Sequence, residues 1–597
     1  MPLTADEIKA KAQAQGRRFW ADLKELMSAA PDPDRPILLW LAFLGLFFAF
    51  LPLAALIGFR YAYTRLDLAR KEQPPTLSGQ PAAVYAAMWA APFALVALLL
   101  FLGFFFGLLG EAFMRRGGSQ ILITWAAANL VISLLVLWAF KAWQARIWNY
   151  FTEMNRYGSA RFAFDNELDP YRPTKGFYIG AGFYYDKPGH LLTVGSTRSG
   201  KGVSLIVPNL TRMGAFSGSW VVVDPKGENA AVTARVQREM GRKVVILTPW
   251  TLHDLGTSAF NPLDLVQDGP NLPDDVGMIA EALVPKKANG QDDHWNSRAR
   301  ALITGLLTHL VSAPHLAERR HLGTLWAWLR TEQKEWDSLL QDMVKNEHEV
   351  AGAIVRASAW EALRLMTNAE KEFASILSTA QDCTDFLKSP NMRRDLATSS
   401  DFKPQDLTEG NVTVYVIIPA DRLKTHDKWL RLVVGSLLRA VVRKPGKDVC
   451  FLLDEFYNLG YLSEIEVALG LYAGYGVHLW MITQNLIQLR DMYGHNWEAF
   501  MSSCSVRQFL TVNDTFTADY VSNMFGTKSV PTMGANGPTG ATPRALVLPD
   551  ELRRSSGDTM HALLDQLPPA RFKKLAYFDV LKEGKDYDPN PYEIRKS

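Results

Sequence analysis

The chain has 597 residues, 48 % of them hydrophobic and 21 % charged, with a formal net charge of +3. That length holds two or three domains, and the near-neutral charge neither demands nor excludes a nucleic-acid partner, because a motor can confine its basic groups to a channel. Cys383, Cys450 and Cys504 show no paired spacing and no metal-ligand pattern, which excludes a disulfide framework and reads as a reduced, cytosolic soluble part.

Residues 1–36 are polar, charged and alanine-rich, with no short apolar core followed by a cleavage site, so they do not read as a secretory signal peptide. Three apolar runs follow, Ile37 to Phe59, Pro81 to Gly110 and Ile121 to Phe140. Each is long enough to cross about 30 Å of hydrocarbon. The loop after the first run carries Arg60, Arg65, Arg70 and Lys71, against Arg115 and Arg116 in the second loop; Lys141, Arg146, Arg156 and Arg161 follow the third. The positive-inside rule then gives three spans with the N-terminus outside the cytoplasm. Arg17, Arg18, Lys24 and Arg35 oppose that orientation, and if the arm stays inside, the spans number two.

A Gly/Pro/Tyr-rich connector, Tyr150 to Asp186, leads to the apolar run His190 to Val194, a strand. The loop Gly195, Ser196, Thr197, Arg198, Ser199, Gly200, Lys201, Gly202 and Val203 comes next, and a helix can open at Val203. Strand, glycine-rich loop and helix are the context of a phosphate-binding P-loop. Its N–H groups converge on phosphate, and Lys201 supplies a point charge between the β- and γ-phosphates. Gly202 stands where a Ser or Thr hydroxyl usually ligates magnesium. Ser219 to Val223 is a second apolar strand, ending in the polar hexapeptide Asp224 to Asn229 at an edge where ligands sit in open α/β sheets; a turn without chemistry is the other reading. Lys243 to Leu247 is a third strand.

From about Pro270 to Ser400, apolar residues recur at helical spacing and strand-like runs nearly vanish. Trp295, Trp326, Trp328, Trp336 and Trp360 read here as core rather than a stacking platform for bases, and Arg319–Arg320 and Arg393–Arg394 as solvated faces, with a DNA or partner surface as the other reading. Strands resume with Asn411 to Pro419, and the helix Trp429 to Val442 leads to the buried strand Val449 to Leu453. That strand ends in Asp454, placed to hold Mg2+ beside the P-loop, and Glu455, placed to orient and deprotonate water. Val477 to Ile482 delivers Thr483, Gln484 and Asn485 to the same edge. Gln484 there can touch the γ-phosphate or the lytic water, whereas Thr483 or Asn485 can simply cap a helix. Arg507, on the strand Val506 to Val512, is a candidate arginine finger for a neighbouring subunit. Thr527 to Thr542 reads as a mobile Gly/Pro-rich segment, and Leu575 to Val580 as a last strand.

Taken together, GSARFA at Gly158, GSTRSGKG at Gly195, VVVDPKGEN at Val221, FNPLD at Phe260, LLDEF at Leu452 and ITQN at Ile482 resemble the TraG/TraD-like family of type IV coupling proteins. The resemblance spans about residues 155 to 580. It implies an α/β fold in which N-terminal transmembrane helices precede a RecA-like P-loop NTPase domain with an inserted all-α domain. The expected divisions are an arm at 1–36, a membrane region of two to three helices at 37–145, a nucleotide-binding domain at 146–270 and 401–597, and the insert at 271–400. It further implies ATP and Mg2+ as ligands, with Lys201, Glu455 and Gln484 catalytic and Asp454 on the metal. A multi-pass protein of the bacterial inner membrane is expected, with its ATPase domain in the cytoplasm and assembled as a homo-hexamer. Its implied partners are the relaxase or relaxosome with single-stranded DNA, and the components of a type IV secretion channel.

Rival functions are delivery of protein effectors without DNA, an FtsK-like double-strand translocase, and a non-catalytic docking receptor. The short chain after the last strand leaves no room for the winged-helix reader of the second. Gly202 favours the third, and Asp454, Glu455 and Gln484 oppose it.

Overall fold

The computed structural model describes residues 156–285, 294–397, 400–534, 537–555 and 557–592. The N-terminal arm and the three apolar runs lie outside them, and among the described residues no helix is long and apolar enough to cross a membrane.

Two compact units emerge from the contacts, one of residues 160–526 and 545–597, the other containing 156–159 and 527–544. The first is built on a nine-stranded sheet in the order β13-β12-β9-β3-β8-β7-β4-β6-β5. Its strands are β3 (His190–Val194), β4 (Ser219–Asp224), β5 (Lys243–Leu247), β6 (Val412–Ile417), β7 (Val449–Leu453), β8 (Val477–Thr483), β9 (Cys504–Phe509), β12 (Thr559–Leu564) and β13 (Ala570–Lys573). From β9 to β5 all neighbours pair in parallel, and β12 enters antiparallel between β9 and β13.

The apolar strands follow from what covers them. Successive side chains point to opposite faces, and a parallel sheet is sheathed on both. Leu192, Val221, Val223 and Val414 face a core with the helix Leu423–Arg443, whereas Leu191, Trp220, Val222 and Leu452 face one with Leu205 and Ile206 behind the P-loop. A hairpin of β1 (Phe177–Gly180) and β2 (Phe183–Tyr185) seals this second core. Sequence periodicity left that hairpin inside the connector.

Between β5 and β6 the described residues hold no strand, and the α-helices there are Leu272–Leu283, His294–Ser312, Leu322–Trp328, Gln333–Val344, Gly352–Asn368, Glu370–Cys383 and Pro390–Ala397. Their apolar faces belong to the same hydrophobic cluster as Leu192 and helix Leu423–Arg443, so the helical block shares one core with the sheet. Of the tryptophans, Trp328 and Trp336 are buried, but Trp295 and Trp360 are exposed. Trp326 is stacked by Arg330 and Arg393 at 5.0 and 4.5 Å, so Arg393 is not a solvated face.

One local expectation about an element is corrected. The segment from Leu575 to Val580 is not a strand; Tyr577–Val580 is a short helix, and the strands of this region are β12 and β13. In the smaller unit the Gly/Pro-rich stretch forms a ribbon of β10 (Thr527–Gly534) and β11 (Gly537–Ala545). Ser159 bridges Lys528, and Ser529 Oγ accepts from Tyr157 N at 2.8 Å.

Candidate nucleotide site

Four adjacent strands, β3, β8, β7 and β4, end at one edge and bring the polar residues of distant segments together. The P-loop leaves β3 tied to its neighbours, with Gly195 N donating to Thr483 O at 2.9 Å and Ser196 N to Thr511 O at 3.1 Å. Gly195 is required by space, since a Cβ there would meet Ser199 Oγ at 2.6 Å. Gly200 is required by conformation, at φ +87°. Arg198 also sits at positive φ, 63°, so the loop is strained as well as tight. Lys201 then leads into a wide helical turn, Gly202–Ile206, continued by Val207–Asn209.

Lys201 Nζ donates to Glu455 Oε1 at 2.7 Å and lies 3.6 Å from Asp454 Oδ1. Gln484 Nε2 donates to the other oxygen of Glu455 at 3.0 Å, and Thr197 Oγ1 lies 3.5 Å from Gln484 Oε1. Gln484 is free for this because Asn485 is the residue that caps the next helix, accepting from Gln488 N at 3.0 Å. Glu455 is itself in a left-handed conformation, φ 56° and ψ 53°, which turns its carboxylate off the β7 edge toward Lys201.

The carboxyl groups titrate differently for stated reasons. Burial works to raise the Glu455 pKa, but the Lys201 charge and the bonds from Lys201 and Gln484 outweigh it and hold the group below its ordinary value. Asp454 is pushed up by burial, opposed by Lys201 and by a bond to the Asn229 side chain. Asp224, 1 % exposed at the end of β4, is raised to about 7 by burial, with the charges of Asp454 and Glu228 adding to it. Its Oδ2 accepts from Ala230 N at 2.8 Å.

Two buried hydroxyls of the loop, Ser196 Oγ and Ser199 Oγ, have no hydrogen-bond partner. Unpaired buried donors beside a lysine and a helix start fit a phosphate group. The acidic pair fits a magnesium ion beside it, with Asp454 as the protein's oxygen donor. Nothing lies within 4 Å of a Cβ built on Gly202, so the position of the usual hydroxyl is open space.

The structure therefore gathers Lys201, Asp454, Glu455, Gln484 and the loop 195–203, and leaves Arg507 out. Arg507 lies mid-strand on β9 opposite Leu192, half-buried, donating to Met501 O at 3.2 Å and Asp565 O at 3.4 Å. Three contributors were not identified from sequence. Asp224 and Asn229 belong to the hexapeptide whose chemistry was left open. Lys574, at the end of β13, donates to Ser199 O at 2.8 Å and carries no motif that could have flagged it.

Residues 151–595 match the family described as type IV secretory system conjugative DNA transfer. The chain belongs to that family. Among relatives in it, a conjugal transfer protein TraG of Escherichia coli is 30 % identical over 386 residues, 60 % of this chain and 59 % of that protein. The type IV secretion system-coupling protein VirD4 of Bartonella quintana is 27 % identical over 414 residues, 65 % of this chain and 63 % of its own length. The chain thus spans about three-fifths of the curated relatives it matches. The solved bacterial conjugative coupling protein TrwBdeltaN70 shares the fold, with a TM-score of 0.55 at 18 % identity over 70 % of this chain and 92 % of that one. Plasmid coupling protein TrwB in complex with ADP and Mg2+ superposes with a TM-score of 0.53, also at 18 % identity, over 70 % of this chain and 94 % of its own. The conjugative-transfer family member described here therefore shares the α/β fold of TrwB.

Proposed function

We propose that this chain is the ATPase that couples a DNA–relaxase substrate to a type IV secretion channel and drives it through. The reading places the chain in the bacterial inner membrane by its apolar N-terminal runs, as a homo-hexamer with the nucleotide-binding domain in the cytoplasm. The observation that carries it is the Lys201–Glu455–Gln484 chain of hydrogen bonds beside the unpartnered Ser196 and Ser199 hydroxyls.

Chemistry follows from those contacts. With ATP in the P-loop, Lys201 neutralises charge on the γ-phosphoryl group, and in doing so releases Glu455. Glu455, freed from the lysine, accepts the proton of the attacking water. Gln484, bonded to Glu455 from the β8 edge, orients that water and senses loss of the γ-phosphate. Asp454 would hold the magnesium ion, which would supply further charge neutralisation there. Support for DNA as cargo comes from the family match and from TraG and VirD4, whose names are those of transfer and coupling proteins. Arg507 is an unsuitable finger in this reading while two carbonyls hold its guanidinium.

The test is ATP hydrolysis by the detergent-solubilised chain, with and without single-stranded DNA. Turnover that rises with DNA supports a DNA motor. Nucleotide binding without turnover in either condition would replace it with the docking-receptor reading, which Gly202 favours.

A further inference from the structure

The helix His294–Ser312 ends in a turn, Pro314–Arg319, that folds back over its last residues. His309 stands in the last helical turn and His315 in the fold-back. Asp342 comes from the neighbouring helix Gln333–Val344. Asp342 Oδ2 lies 3.1 Å from His309 Nε2 and 2.9 Å from His315 Nε2. The three atoms all lie within 4.8 Å of one another, and the two rings are 6.2 Å apart between centroids.

We infer that His309, His315 and Asp342 form a zinc-type divalent metal site in the helical block. Ligand atoms on a tetrahedral ion at about 2.0–2.1 Å stand about 3.3 Å from each other, so the two measured N···O separations need to open by only a few tenths of an ångström. Two imidazoles and a carboxylate suit zinc over magnesium or calcium, which take oxygen ligands. The fourth position is left to water.

Burial fixes the inner ligand. The His309 side chain is wholly buried, and its Nδ1 meets Asn346 Nδ2 at 3.1 Å. Asn346 is anchored in turn by Ser312 Oγ at 3.0 Å. This outer contact holds the ring from behind, with the Asn346 amide nitrogen donating to Nδ1 in the metal-free chain. When the ion binds, the Nε2 protons of His309 and His315 pass to their Nδ1 atoms; the His315 Nδ1–H faces solvent, and the Asn346 amide turns its oxygen to accept from His309, giving up the bond its Oδ1 accepts from His348 N at 3.0 Å. His315 is exposed and Asp342 partly so, which gives the ion a path from solvent. None of the three belongs to the nucleotide cluster. The ion would clamp the end of one long helix to its neighbour in the block that lies between the two phosphate motifs.

The test uses the full chain without a polyhistidine tag, stripped by a chelator and titrated with zinc chloride. One equivalent should bind more tightly than any remaining surface histidines, raise the melting temperature, and be untouched by millimolar magnesium. Cobalt(II) in place of zinc should give the intense visible absorption of a tetrahedral site. His315→Ala, a change on the surface that leaves the helices their packing, should abolish the tight equivalent, the melting shift and the cobalt spectrum together. Asp342→Asn should weaken binding at least about 10-fold while its amide oxygen still accepts a histidine proton. No tight equivalent in the parent chain, or the same equivalent with the same affinity in His315→Ala, overturns the site.

Discussion

Lys201 Nζ and Glu455 Oε1, on segments 254 residues apart, are joined at 2.7 Å. The P-loop cation and the acid behind β7 thereby neutralise each other, at 14 % and 26 % side-chain exposure. In the proposed mechanism nucleotide competes with Glu455 for the lysine, and the base is released by the event that brings the substrate in. Lys201→Ala should therefore lower hydrolysis at least ~100-fold. It should also let the Glu455 carboxyl rise toward its ordinary pKa, readable as a pH-dependent shift of the residual rate toward higher pH.

Gly202 opens the wide helical turn Gly202–Ile206, and its Cβ direction is empty. Gly202→Ser should fold with stability within about 0.5 kcal/mol of the parent, since nothing has to move. Where Asp454 and the phosphates already hold magnesium well, hydrolysis should change little; if a hydroxyl ligand is missing, the rate should rise and the magnesium requirement fall. A magnesium titration of the rate in both proteins separates these outcomes.

Asp224 gives a pH signature. Its carboxyl titrates about 7 when folded and near 3.8 when unfolded. Between those values the folded chain holds the extra proton, so stability declines as pH rises from about 4 to 7 and the loss is complete above 7. Asp224→Asn removes that slope. The melting temperature of the variant relative to the parent should climb across this window and then level off, with a full effect on the order of 4 kcal/mol as an upper bound. A difference that stays constant from pH 4 to 8 would contradict the buried, protonated carboxyl.

Lys574 reaches the P-loop from the far end of the sequence, at Ser199 O. Losing a charge-assisted hydrogen bond of about 1.5–3 kcal/mol should loosen the loop rather than the chemistry. Lys574→Met should raise KM for ATP several-fold with a smaller effect on kcat. The reverse pattern in steady-state kinetics would make Lys574 a participant in the transition state.

The parts legible in the sequence were those where one local pattern settles the matter. β3, β4, β7 and β8 are continuous apolar runs because both faces of a parallel sheet are covered, and each stops at the polar residue it delivers. β13, with its Ala-Arg-Phe-Lys alternation, is half-exposed at the sheet margin and too short to stand out, and β12 beside it was missed too. Tyr577–Val580 looks strand-like, yet Tyr577 is buried against Tyr587 in a small cluster with Val207, and that tertiary contact favours a helical turn. Arg507 reads as a candidate finger for a neighbouring subunit from its strand position. Only the fold shows the Met501 and Asp565 carbonyls that occupy it. Likewise Asn229 reaches Asp454 across a gap of 225 positions that no local motif spans.

The central claim is that Glu455 is the base of a hydrolytic site, and a single-turnover experiment on Glu455→Gln tests it most directly. Glutamine keeps the shape of the side chain and can still face Lys201 and Gln484, but it cannot accept a proton. Incubated with one equivalent of γ-labelled ATP and magnesium, the variant should hold intact ATP and release almost no phosphate over the time in which the parent chain converts all of it. Phosphate release from the variant at the parent's rate would contradict the account.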